Sequence, residues 1–197
     1  MYIEQLYTNC LAEAAYYIES EGEVAIIDPL RESLPYIEMA ASRNAKIKYV
    51  FETHFHADFV SGHIDLAKKT GAQIIYGPEA NTNYSVINAK DGEEFSIGKI
   101  KIRALHTPGH TLESTCYLLI DETGKNHCIF TGDTLFVGDV GRLDRGFPVT
   151  LAIAPDQSRV AHAIRGDAVG GGVEAVGPQL ALPAHVRAGR QRRTAGQ

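Results

Sequence analysis

The densest chemistry in the chain lies in Thr53-His54-Phe55-His56-Ala57-Asp58, directly after the apolar run Ile47-Lys48-Tyr49-Val50-Phe51. A strand would set His54 and His56 on one face, too extended to share an ion, so these side chains converge only if the chain turns there. Imidazole and carboxylate together are ligands for iron, zinc and similar divalent ions. Two later segments have the same form. In Leu105-His106-Thr107-Pro108-Gly109-His110-Thr111, proline and glycine force a tight turn that presents His110. In Phe130-Thr131-Gly132-Asp133-Thr134, the glycine lets the backbone bring Asp133 close. A single histidine at a strand end is ordinarily solvated or satisfied in the core, and a single Gly-Asp is ordinarily a turn. Strand-end turns that deliver His54, His110 and Asp133 in succession make a metal site the expectation.

Such a site needs strands to carry the turns. Ala14–Glu19 and Val24–Asp28 flank the short turn Glu21-Gly22-Glu23 and predict a hairpin. Apolar residues at Leu34, Ile37, Ala40 and Ala41 predict a helix over Leu34–Asn44. Ser61–Thr70 predicts a second helix, stopped by Gly71. Strands follow at Gln73–Tyr76, Ile100–Leu105, Cys116–Ile120 and Cys128–Thr131, with Gly124 in the turn between the last two. Strands that alternate with helices and end in polar residues predict an α/β protein with its site at strand ends.

The chain has 197 residues, enough for one domain with a substantial core, and residues 1–197 read as a single domain. A net charge of -5 leaves no basic footprint for nucleic acid. No stretch approaches the ~20 consecutive apolar residues of a membrane helix, and the N-terminus lacks the pattern of a secretory signal. A cytoplasmic location is therefore expected. Cys10, Cys116 and Cys128 are scattered without metal-type spacing, and an odd number argues against a disulfide framework. They read as small buried apolar residues.

The character of the chain changes after Asp144. All nine Tyr and six of seven Phe lie in residues 1–144, and the last 53 residues contain seven Arg and no Lys. Gly166–Gly177 is rich in glycine and alanine with weak periodicity. The segment 145–197 reads as an atypical tail, either loosely structured or of different origin from the rest.

The order of these turns resembles the metallo-β-lactamase superfamily: T-H-x-H-x-D at Thr53–Asp58, then Pro-Gly-His at Pro108–His110, then Gly-Asp at Gly132–Asp133. The resemblance covers residues 1–144 and implies an αββα sandwich with the metal at one edge of two packed sheets. Within it, Glu52–Gly62, His106–Thr111, Phe130–Asp133 and Phe136–Arg142 look most like persulfide dioxygenases, in particular the bacterial branch often fused to rhodanese domains. That likeness implies one Fe(II) held by His54, His110 and Asp133, and oxidation of a thiol persulfide such as glutathione persulfide by O₂ to sulfite and thiol. A 2-His-1-carboxylate face leaves positions open for such substrates.

Two-metal hydrolases of the superfamily continue the first motif as Asp-His, whereas Asp58 is followed by Phe59, which cannot ligate. This favours a single ion, with His56 and Asp58 orienting the ligands. His185, in Leu182-Pro183-Ala184-His185, matches the superfamily's late histidine, so His56, Asp58 and His185 stand as candidates for orienting the first site or holding a second ion. Arg142 is expected to fix the loop near the site or meet a substrate carboxylate, with Asp144 as its partner. His63 is expected on a helix near the site, facing solvent or substrate; His106 is expected to support the His110 turn, and His127 and His162 to lie on the surface. The runner-up function is a zinc hydrolase of the glyoxalase II, thioesterase or lactonase type. A metal-binding scaffold with little turnover is a third reading. No nucleic acid or membrane partner is expected, and a homodimer is left open.

Overall fold

The computed structural model describes residues 1–8, 13–136, 139–140 and 174–176, the backbone path alone being given for 8, 135–136, 139–140 and 174–176. Its first sheet has six strands in chain order: β1 Tyr2–Thr8, β2 Glu13–Ser20, β3 Glu23–Ile27, β4 Lys46–Phe51, β5 Gln73–Tyr76 and β6 Ile87–Asn88. β1 to β3 pair antiparallel, and β3 to β6 pair parallel. The parallel steps need crossovers, which helix α1 (Leu34–Ser42) supplies between β3 and β4 and α2 (His63–Thr70) between β4 and β5.

The second sheet contains β7 Glu94–Ile97, β8 Ile100–His106, β9 Thr115–Ile120, β10 Asn126–Phe130 and β13 Glu174–Val176, in the order β13-β10-β9-β8-β7. A short ladder joins β11 Leu135–Phe136 to β12 Asp139–Val140. The result is the α/β, two-sheet sandwich expected; among the described residues both helices lie against the first sheet.

The pattern on β2 shows how the layers are made. Ala14, Tyr16 and Ile18 enter the core between the sheets, while Ala15 and Tyr17 enter a second core beneath the helices with Tyr36, Val50 and Leu66. A strand covered on both faces has no polar face, hence the unbroken apolar run. The inter-sheet core is aromatic at its centre: the Phe51 ring lies 5.5 Å from Phe95 and 4.9 Å from Tyr117, and Tyr16 lies 4.7 Å from Phe130.

The predicted hairpin turn closes on Glu21 and Gly22, both at positive φ (51° and 77°), the two-residue geometry that matches strand twist. Helix α2 begins at His63 rather than Ser61, which stays outside it: Ser61 Oγ lies 2.6 Å from Glu52 Oε1 and accepts the His63 N–H (3.3 Å). It ends at Gly71 as expected, at φ 75°. Strands β1, β6 and β7 were not predicted. β13 departs further from expectation, since the weakly patterned Gly166–Gly177 contains a strand running parallel to β10, with Ile129 opposite Ala175. Cys116 and Cys128 are buried, as expected; Cys10 lies outside the described residues.

Candidate metal centre

The turn after β4 is held from several directions before any ligand is considered. Thr53 donates its backbone N–H to Asp28 Oδ1 (2.7 Å) and its hydroxyl to Asp28 Oδ2 (2.8 Å). Its carbonyl accepts the Thr115 N–H (2.9 Å), which ties the turn to the second sheet. Tyr117, in the inter-sheet core, donates its hydroxyl to the Glu52 carbonyl (3.0 Å), and Phe55 donates its N–H to Glu113 Oε1 (2.8 Å).

This frame sets the state of His54. Its Nδ1 lies 3.0 Å from Thr53 Oγ1, whose single proton goes to Asp28. The Thr53 oxygen can then only accept from His54, so Nδ1 carries the ring proton and Nε2 is left with a lone pair. Burial, reinforced by the imidazoles of His56 and His110, holds the His54 pKa down to about 3. A neutral ring with a fixed tautomer is the form that ligates a metal.

His110 and Asp133 come to the same point from the second sheet. His110 follows β8 in a turn closed by Gly109 N–H to Thr111 O, and His106 Nε2 lies 2.9 Å from the Leu112 carbonyl, supporting the turn as expected. Asp133 sits in a single helical turn, Gly132–Thr134, after β10. Gly132 adopts φ 47°, and a Cβ there would lie 2.4 Å from Thr53 Oγ1 and 2.7 Å from Thr53 Cβ, so this close approach demands glycine. His110 Nε2 stands 3.5 Å from Asp133 Oδ2, and the His54 and His110 rings are 4.9 Å apart, nearly perpendicular. One ligand atom from each of His54, His110 and Asp133 falls within 4.8 Å of the others. Burial raises the Asp133 pKa, against the opposing pull of His110. Two imidazoles and a carboxylate so disposed fit a divalent ion, and among the described residues His110 and Asp133 are only half-buried.

The other predicted site residues are placed differently. His56 turns away from these three and sets its Nε2 3.1 Å from Asp28 Oδ1 and 3.6 Å from Glu52 Oε2, forming a second group of ligand type with them. Burial alone would lower the His56 pKa; Asp28, then Glu52, reverse this and take it to about 10. Phe59 stacks on His56, ring centroids 4.3 Å apart, and ligates nothing. Asp58 is exposed and lines, with Phe59, Leu6, Leu30, Arg31 and Tyr36, a cavity of about 720 Å³ beside the turn. His63, expected to meet solvent or substrate, instead faces inward, its Nδ1 3.4 Å from Glu52 Oε1 and its Nε2 2.9 Å from the Tyr84 hydroxyl. His127 is exposed, as expected. Arg142, Asp144, His162 and His185 lie outside the described residues.

Sequence reasoning missed Asp28, Glu52, Thr53 and Glu113. The signal for the first two was present: each is an acid that directly follows an apolar strand, and Glu52 stands two residues before His54.

The fold and the strand-end cluster define a class. The metallo-β-lactamase superfamily model matches residues 8–85 of the chain. Hydroxyacylglutathione hydrolase cytoplasmic from Arabidopsis thaliana is 34% identical over 164 residues, 77% of this chain and 63% of that protein. Among solved structures, a metallo-beta-lactamase from Staphylococcus aureus superposes with TM-score 0.69 at 39% identity, over 74% of this chain and 47% of that one. ETHE1 from Myxococcus xanthus superposes with TM-score 0.64 at 31% identity, over 72% and 61%. The chain spans 44–63% of the length of the curated relatives it matches.

These relatives correct the functional expectation. Curated proteins named as hydroxyacylglutathione hydrolases, known or probable, match at 32–40% identity in Arabidopsis thaliana, Schizosaccharomyces pombe and Brucella anthropi, which overturns the persulfide dioxygenase reading in favour of the hydrolase alternative. The physical error lay in the weight given to Phe59. That residue removes a ligand of a second ion, so it bears on how many ions bind and not on which reaction they serve. With the dioxygenase goes the need for iron: hydrolysis changes no oxidation state. The likeness to a rhodanese-fused branch is likewise narrower than the superfamily that the matches resolve.

Proposed function

We propose that the chain is a metal-dependent hydrolase of glutathione thioesters, of the hydroxyacylglutathione hydrolase (glyoxalase II) type, working in the cytoplasm with Zn(II). The observation that carries this reading is the convergence of His54, His110 and Asp133 from the ends of both sheets, ligand atoms within 4.8 Å, in a chain whose curated relatives bear that name. Three protein ligands with an open side are the pattern of catalytic zinc. Held there, the ion supplies a Lewis acid for the thioester carbonyl and lowers the pKa of water toward neutrality.

The protein's own residues do the positioning. The Asp28–Thr53–His54 chain fixes the His54 ring, and Glu113, through the Phe55 N–H, holds the turn between His54 and His56. Water adds its oxygen to the acyl carbon, the C–S bond breaks, and the proton released travels with the thiol, giving a hydroxy acid and free glutathione. The cavity beside Asp58 and Phe59 is of the size small-molecule sites have, and Arg31 on its wall offers a cation to a substrate carboxylate.

The test uses the full chain loaded with zinc and given a hydroxyacylglutathione, with released thiol measured against time. Turnover that falls about 100-fold or more in His110→Ala, at unchanged circular dichroism, is the expected result. A folded, zinc-occupied protein that releases no thiol overturns the proposal.

A further inference from the structure

In the hydrolytic reading Asp28 serves only to orient Thr53, and Glu52 and His56 have no part, yet the three form a deeply buried cluster of ionisable side chains. Asp28 is 3% exposed and Glu52 1%, and the His56 side chain is 5% exposed. Each carboxylate is half used. Glu52 Oε1 accepts from the Ser61 hydroxyl (2.6 Å), while Asp28 takes both of its hydrogen bonds from Thr53. Glu52 Oε2 and His56 Nε2, facing one another across 3.6 Å, make no hydrogen bond among the described residues, nor does the nearby His63 Nδ1. Buried polar atoms left this way are costly, which marks a place where a ligand belongs.

The spacing says what kind of ligand. His56 Nε2 is 3.1 Å from Asp28 Oδ1 and 3.6 Å from Glu52 Oε2, and all three atoms lie within 4.8 Å of one another. Donors bound to one divalent ion at about 2.0–2.2 Å stand roughly 3–3.6 Å apart in tetrahedral geometry. The charge agrees. With His56 deprotonated, the two carboxylates and the imidazole sum to minus two, the charge that a divalent ion balances.

We infer that Asp28, Glu52 and His56 form a second divalent-cation site, behind the His54–His110–Asp133 cluster and built from different residues. Its one-nitrogen, two-oxygen donor set suits Zn(II), Mn(II) or Fe(II). Ligation needs Glu52 as a carboxylate and a lone pair on His56 Nε2, so a proton on either group leaves as the ion enters. The two sites are separated by the Thr53–His56 turn, whose two imidazoles lie 4.2 Å apart, centroid to centroid. This inference does not depend on the hydrolase reading, because metal content is read without substrate.

The experiment is a zinc titration of the metal-free full chain followed by native mass spectrometry. Unmutated protein is expected to take a second equivalent, Glu52→Gln to lose it while keeping the first, and His110→Ala to keep it while losing the first. Asp58→Ala serves as a control that retains both. Saturation of the unmutated chain at a single equivalent overturns the inference, and so does a second equivalent that persists in folded Glu52→Gln. Should Glu52→Gln fail to fold, the ¹⁵N resonance of His56 Nε2 in unmutated protein decides the matter. A move to the metal-bound position with the second equivalent supports the site, and a resonance that stays in place overturns it.

Discussion

At the scale of single residues, Thr53 has a role out of proportion to its size. Its hydroxyl passes the orientation of Asp28 to His54, so Thr53→Val keeps the volume but frees the ring to change tautomer. Zinc affinity is expected to fall about 10–100-fold, measured by competition with a chromogenic chelator. An unchanged affinity would show that the turn's backbone alone orients the ligand. His54, His110 and Asp133 were legible in the sequence because each is a ligand-type residue where an apolar strand gives way to a turn. Asp28 and Glu52 carry the same mark, but a lone acid after a strand is commonplace, and only the fold shows that β3 and β4 lie side by side and bring them together. Phe59 teaches the converse. It was read correctly as a non-ligand, and what a non-ligand decides is stoichiometry.

At the scale of elements, the turn after β10 reaches its place only because Gly132 has no side chain. Gly132→Ala sets a methyl against Thr53 at 2.4 Å and strains a backbone at φ 47°. A loss of about 1–3 kcal/mol is expected from overpacking, read from urea unfolding, together with weaker metal binding as Asp133 is pushed back. A stability unchanged within error would mean the turn moves freely and does not need glycine. The strands that the sequence revealed are those with long apolar runs, such as β2, β4 and β9, because burial on both faces leaves a continuous signal. β1 and β7 lie at sheet edges and mix polar with apolar residues, and β13 hides in glycine and alanine. Their pairing comes from neighbours distant in the chain, which no local pattern encodes.

At the scale of the whole molecule, pH acts through groups that burial keeps from their ordinary ionisation. His63 is held down to about 4 by burial and then by His56, against an ordinary 6.5. The unfolded chain therefore binds more protons than the native one across that interval, and this contribution is lost as pH falls from about 6.5 toward 4. In metal-free protein His63→Gln is expected to flatten the acid limb of the urea midpoint over that window; an identical slope would refute the assignment. Glu13 acts oppositely. With its pKa at about 8 against 4.5, it lowers stability as pH rises between those values, and Glu13→Gln should remove that decline, measured in the same titration.

The turn after β4 belongs to the first sheet, while His110 and Asp133 belong to the second, and the Thr53–Thr115 hydrogen bond already bridges the two. An ion at His54, His110 and Asp133 would thus be a clasp as well as a reagent, closing the open rim of the sandwich. Chelation should then be felt far from the rim, as faster amide hydrogen exchange at Val50 and Tyr117 alike, with both sheets loosening together.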